Sequence, residues 1–276
     1  MTITGFETPQ LFGELTGDLI PGSNDDRAPL VFMPGLTFDR TMWLPALRSI
    51  HEMDPVRTTL ALDMPGEGES VGTFRSIEAA IEQLHAAITA AGIEDPVLVA
   101  HSGAAIGAMF YAMQHPVRGI INVDAVLDNR EFSARLRALE PQLRNGGIPA
   151  LWNDLFASLH AERCGPAGEA MLRATSRPRP DVILGYWAPV LAPPPTAENA
   201  IAAAIAAIRA QSIPYTLVFG EEPDATTRLW MKENFPEANV IALPNSGHFP
   251  HVAHPDEFAR VVLMSAEVSS LRHSHA

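Results

Sequence analysis

The chain has 276 residues, 47% of them hydrophobic, and a formal net charge of −13. This length suits one large α/β domain or two small ones, and folding buries roughly 70–75% of the unfolded surface, so a core forms without disulfide or metal. The acidic surface repels a duplex or an anionic membrane, and a single cysteine, Cys164, excludes an internal disulfide framework.

The first ten residues carry neither a basic stretch nor a long apolar one, so no signal peptide is expected. No run of about 18 apolar residues follows, so no membrane span is expected either. No Cys/His group has zinc-ligand spacing. The expectation is a cytoplasmic protein, monomer or homodimer, that acts on a small molecule without metal or cofactor.

Short apolar runs alternate with helix-length segments, the signature of βαβ units and a mainly parallel sheet. Gln10–Ile20 has room for two antiparallel edge strands. Strands are then expected in LVFMPG ending at Gly35, TTLALDMPG ending at Gly66, PVLVAHS ending at Ser102, and RGIINVDAV around Asp124. PYTLVFG ending at Gly220 and ANVIALP before the loop NSGHFPH complete the set. Helices are expected near Arg40–His51, Ser76–Ala91, Gly103–His115, Thr226–Phe235 and Pro255–Val268. Residues 127–209 hold no convincing strand. They read as a helical lid inserted in a core formed by residues 1–126 and 210–276. An independent helical domain is the alternative.

Three segments carry chemistry. In Val99-Ala100-His101-Ser102-Gly103-Ala104 an apolar strand ends at one serine and a helix of small residues begins. Such a turn lifts a hydroxyl above the carboxyl ends of the strands, where open α/β sheets bind ligands. It also aims the Gly103 N–H, at a helix N-terminus, at a developing oxyanion. An ordinary helix-capping serine is the competing explanation. In Asn245-Ser246-Gly247-His248-Phe249-Pro250-His251, His248 is placed to reach back over the sheet and take the serine proton. The acid that would orient it is expected at Asp124, with Glu222 and Asp224 as alternatives after Gly220.

The serine turn resembles the nucleophile elbow G-x-S-x-G of the α/β-hydrolases, with Ala100 and Ala104 in the glycine places. Met33-Pro34-Gly35-Leu36-Thr37-Phe38 looks like the oxyanion loop of that fold, with Pro34 where it carries histidine. That resemblance implies the Leu36 N–H as second oxyanion donor beside Gly103. Asp63-Met64-Pro65-Gly66-Glu67-Gly68-Glu69-Ser70 resembles the family turn D-x-P-G-x-G-x-S and is assigned a structural role. The resemblance implies an α/β-hydrolase fold: a mostly parallel central sheet flanked by helices, with a helical lid.

VRGIINVDAV and FGEEPDATTRLWMKENFP are similar to segments of haloalkane dehalogenases, which favours Asp124 as the acid. Those enzymes have an aspartate nucleophile followed by tryptophan, where Ser102 and Gly103 stand here, and an asparagine at the place of Leu36. The scaffold carries over and the dehalogenase reaction does not. His101-Ser102 with Asp124 also resembles cofactor-free ring-cleaving dioxygenases, whose oxyanion-loop tryptophan and histidine are replaced by Leu36 and Phe38. Ser102-Gly103-Ala104 resembles zearalenone-type lactonases. The expectation is hydrolysis of a hydrophobic ester or lactone through an acyl-enzyme. A cofactor-free dioxygenase and a non-catalytic binding homologue are the alternatives. Phe38, Trp152, Phe156, Trp187 and Phe249 are candidate pocket residues.

Overall fold

The computed structural model describes residues 9–24, 26–70 and 73–273, with side chains described to residue 268. Its strands are β1 (Gln10–Phe12), β2 (Leu15–Ile20), β3 (Leu30–Met33), β4 (Thr59–Leu62), β5 (Val97–His101), β6 (Gly119–Val123), β7 (Tyr215–Phe219) and β8 (Asn239–Ala242). They form one sheet in the order β1-β2-β4-β3-β5-β6-β7-β8. β2 runs antiparallel to its neighbours β1 and β4, and all other pairs are parallel.

The central strands are apolar throughout because both faces of the sheet are covered. Their side chains alternate between two cores, as the two-residue repeat of a strand requires. Val31, Met33, Leu60, Leu62, Leu98, Ala100, Leu217 and Phe219 join one core. Leu30, Phe32, Ala61, Val97, Val99, Ile121, Val123 and Val218 join the other.

The helices that cover the first face include α2 (Ile77–Ala90), α3 (Gly103–Ala112) and α9 (Thr196–Ala210). α1 (Leu44–Met53) and α12 (Pro255–His273) cover the second, through residues such as Leu47, Ile50, Phe258 and Val262. Ser76 starts α2 by accepting the Ala79 N–H at 3.1 Å. The helix expected from Arg40 divides in two. A 3-10 turn spans Arg40–Trp43, and α1 begins at Leu44 with Pro45 in its first turn, where a proline costs no hydrogen bond.

Between β6 and β7 the described chain is helical: α4 (Arg130–Gln142), α5 (Ile148–Ser158), α6 (Gly165–Thr175), α7 (Pro180–Tyr186), α8 (Ala188–Leu191) and then α9. One isolated antiparallel bridge, Phe38 to Ser176, ties this segment to the loop after β3. α10 (Ala225–Asn234) and the short α11 (Pro250–Ala253) complete the fold. Among the described residues no helix is long and apolar enough to cross a membrane.

Candidate active site

Ser102 sits between β5 and α3 with φ 54° and ψ −133°, a conformation that costs a non-glycine residue free energy. Neighbouring bonds enforce it: the Ser102 N–H donates to the Val123 carbonyl at 2.8 Å, and the Ser102 carbonyl accepts the Ala105 N–H at 2.9 Å. The turn needs close approach on its other side as well. A Cβ added to Gly35 would lie 2.5 Å from His101 Nδ1 and 3.2 Å from Ser102 Cβ. Beside Gly103, by contrast, there is open space. Neither the Leu36 nor the Gly103 N–H donates to an acceptor among the described residues. Both residues border the same cavity as Ser102.

His248, in the loop after β8, meets Asp124 at the end of β6. Its Nδ1–H donates to Asp124 Oδ2 at 2.7 Å, and both side chains are more than four-fifths buried. Asp124 has φ 59° at the end of β6, and its Oδ1 accepts the Gly220 N–H at 2.8 Å. The His248 loop is held by its own N–H donating to the Leu159 carbonyl at 2.9 Å and by the Ser246 N–H donating to the Gly220 carbonyl at 3.1 Å. Gly220 is required there, because a Cβ would fall 1.7 Å from the Gly247 carbonyl oxygen.

The alternative acids are engaged elsewhere. Glu222 pairs with Arg228 at 3.0 Å and its side chain is 61% exposed. Asp224 caps α10 by accepting the Thr227 N–H at 2.7 Å. His254 reaches the Pro244 carbonyl at 3.1 Å. His251 is buried between Trp43 and Phe258, with ring centroids 4.3 and 5.9 Å away. Burial, then the nearby His248, pushes the His251 pKa down to about 3. His101 is also fully buried. Its Nε2–H donates to the His248 carbonyl at 2.8 Å, and burial holds its pKa well below the usual imidazole value. His101 is therefore a neutral strut beneath the His248 loop.

Ser102, His248, Asp124, Leu36 and Gly103 all border one cavity of about 470 Å³, within the range of small-molecule sites. Phe38, Trp152 and Trp187 are in its wall. Phe156 and Phe249 are not, which corrects the expectation for these two rings. Both pack behind Phe38, at centroid distances of 6.3 and 5.5 Å. Phe156 also carries the Arg173 guanidinium 4.9 Å above its ring. Much of the wall instead comes from α2 and α3, through Ile77, Ala80, Ile81, Leu84, Ile106 and Phe110. Apolar periodicity does not distinguish a residue facing a cavity from one facing packed core, so sequence reading missed them.

Glu67 was missed for a different reason. The turn Asp63–Ser70 is structural as expected: Asp63 accepts the N–H groups of Arg40 and Glu69 and the Arg40 guanidinium, at 2.7 to 2.8 Å. Yet the Glu67 side chain is in the cavity wall, 2% exposed, with Oε1 accepting the Thr37 N–H at 2.9 Å. Burial raises its pKa to about 8, against the lowering effect of that N–H and of Arg179. Among the described residues no group of three or more His, Cys, Asp or Glu side chains is arranged to hold a metal ion.

Residues 30–261 match the family model described as the alpha/beta hydrolase family. No curated protein sequence matches the chain. Among solved structures, a loop variant of the haloalkane dehalogenase DbeA from Bradyrhizobium elkanii is similar, at 20% identity and TM-score 0.69, covering 97% of this chain and 98% of that one. A thermophilic esterase from Thermogutta terrifontis aligns at 18% identity and TM-score 0.71, over 95% and 99% of the two chains. The proline iminopeptidase of Mycobacterium smegmatis aligns at 18% identity and TM-score 0.64, over 96% and 99%. At these identities the shared property is the fold. With most of its length matched by the family model, the chain belongs to the α/β-hydrolase family.

Proposed function

We propose that this protein is a serine hydrolase that cleaves a carboxylic ester or lactone of a small hydrophobic substrate through an acyl-enzyme. The observation that carries this reading is the His248–Asp124 hydrogen bond at 2.7 Å, bordering the cavity that also receives the strained Ser102 turn. The scissile carbonyl oxygen is placed between the N–H groups of Leu36 and Gly103. Ser102 Oγ attacks the carbonyl carbon as His248 Nε2 takes its proton. Asp124 holds the proton on Nδ1 and stabilises the imidazolium. The leaving alkoxide receives the proton from Nε2. A water then attacks the acyl group and gives a proton to His248, which passes it to Ser102 Oγ as the bond to the acyl carbon breaks and the acid departs.

The helices between β6 and β7 act as a lid over the site, contributing Trp152, Leu155, Tyr186 and Trp187 to an almost wholly apolar wall. Such a wall favours hydrophobic acyl or alcohol groups.

The test is turnover of short p-nitrophenyl esters together with fluorophosphonate labelling and peptide mapping. Label on Ser102, and a loss on the order of 10⁴- to 10⁶-fold in Ser102→Ala, are expected. Ester hydrolysis that survives Ser102→Ala would overturn the assignment. Oxygen uptake on a heteroaromatic substrate that survives the same substitution would redirect it to cofactor-free dioxygenation.

A further inference from the structure

Among the described residues of the cavity wall, Glu67 is a fully buried carboxyl that the mechanism above leaves unused. Glu67 Oε1 is occupied by the Thr37 N–H, while Oε2 is buried and has no hydrogen-bond partner among the described residues. A lone buried polar atom is costly unless something occupies it. The turn that carries Glu67 is not free to move it elsewhere. Asp63 and Arg40 lock the turn through their mutual hydrogen bonds, and the Glu67 N–H donates to the Met64 carbonyl at 2.9 Å. Most of the surrounding wall, including Met64, Ile77, Ala80 and Ile81, is apolar.

We propose that Glu67 is a specificity determinant: its Oε2–H donates a hydrogen bond to a second, uncharged oxygen of the substrate, a ketone or ether, distinct from the carbonyl attacked by Ser102. An N–H donor on Oε1 leaves the carboxyl proton to Oε2, so the free atom is the donor. Burial keeps that proton in place at neutral pH. The inference rests on the cavity being the substrate site, but not on the bond that is cleaved. An apolar pocket that presents one fixed donor discriminates strongly against a ligand lacking the acceptor.

The experiment uses two ligands that are not esters, 4-tert-butylcyclohexanone and its exo-methylene isostere. Their binding to the full-length protein is followed by the fluorescence of Trp152 and Trp187, both in the cavity wall. The ratio of the two affinities is compared among wild type, Glu67→Gln and Glu67→Leu. Glutamine keeps an acceptor for Thr37 and a donor for the ligand; leucine keeps neither. The ketone preference should fall about tenfold in Glu67→Leu, the factor that corresponds to one ordinary hydrogen bond, and survive in Glu67→Gln.

A second arm needs no destabilising variant. Raising the pH from 6.5 to 9.5 should remove the preference in wild type and leave it in Glu67→Gln. Asp63, Arg179 and Asp181 act electrostatically on Glu67, and Asp124, Asp128, Tyr186 and His248 border the cavity. All are present in the glutamine variant, which therefore controls for them. Equal ratios in wild type and Glu67→Leu, or a wild-type ratio that follows the glutamine variant across pH, would overturn the proposal. Inertness towards esters with the preference intact would instead overturn only the hydrolase reading.

Discussion

Asp124 accepts from both His248 and the Gly220 N–H, so its two oxygens have separate duties. Asp124→Asn presents one oxygen and one amide group. It should keep the fold while losing about 10⁴-fold in turnover, because the imidazole is then held in the wrong tautomer. Glu222→Gln should leave turnover within a factor of about two, and Asp224→Ala should cost only about 1 kcal/mol of stability through the lost helix cap. Steady-state kinetics and thermal melts on the three variants separate these outcomes.

The buried titratable groups give a pH dependence of opposite signs. His251 is neutral in the fold with a pKa of about 3, against about 6.5 when unfolded. Its contribution is present above 6.5 and is lost as pH falls towards 3, because the unfolded chain binds the extra proton. His251→Phe should therefore gain on wild type as pH drops through that window. Glu67 runs the other way: its pKa of about 8 lies above the unfolded value of about 4.5. Stability from its neutral form is present below 4.5 and is lost as pH rises through 8. Glu67→Gln should melt progressively higher than wild type between pH 5 and 8.5, by several degrees at the upper end. Melting curves across pH that stay parallel for either variant would refute its assignment.

At the scale of elements, the site hangs on the strand-end loops after β3, β5, β6 and β8, with Gly220 after β7 pressed against them. Contact distances rank the glycines. Gly35→Ala would push a methyl group into His101 and Ser102, and should cost on the order of 10²-fold in turnover. Gly103→Ala meets open space and supplies the same backbone N–H, so it should retain most of the activity. Ester kinetics on the two variants check the ranking.

The elements were also the most legible level of the sequence. Continuous apolar runs such as LVFM and VLVAH read as buried parallel strands because no polar face was needed, and the six core strands lie where that pattern placed them. Ser102 and His248, which border one cavity, were legible as candidates because strand-turn-helix grammar surrounds each. Glu67 was not, since the glycines around it report only backbone shape and give no hint of where the intervening side chain is aimed. Phe156 and Phe249 were misjudged because an aromatic ring in a helical segment looks the same whether it touches a ligand or another ring.

For the whole molecule, the net charge of −13 matters at the cavity, whose wall contains Asp124 and Asp128 but, among the described residues, no lysine or arginine. A neutral ester should be processed faster than an anionic ester of the same shape. Added salt should narrow the gap in kcat/KM by screening long-range repulsion. A salt-independent ratio would place the discrimination in local contacts instead.

The bond from Gly220 to Asp124 joins chain positions on either side of some ninety intervening residues, most of them helical. It clasps the two ends of that excursion at the sheet. Grafting a foreign helical array between the end of β6 and the start of β7 thus becomes a route to new selectivity, with the Asp124 anchor kept and a carbonyl in the place of Leu159 supplied to the histidine loop.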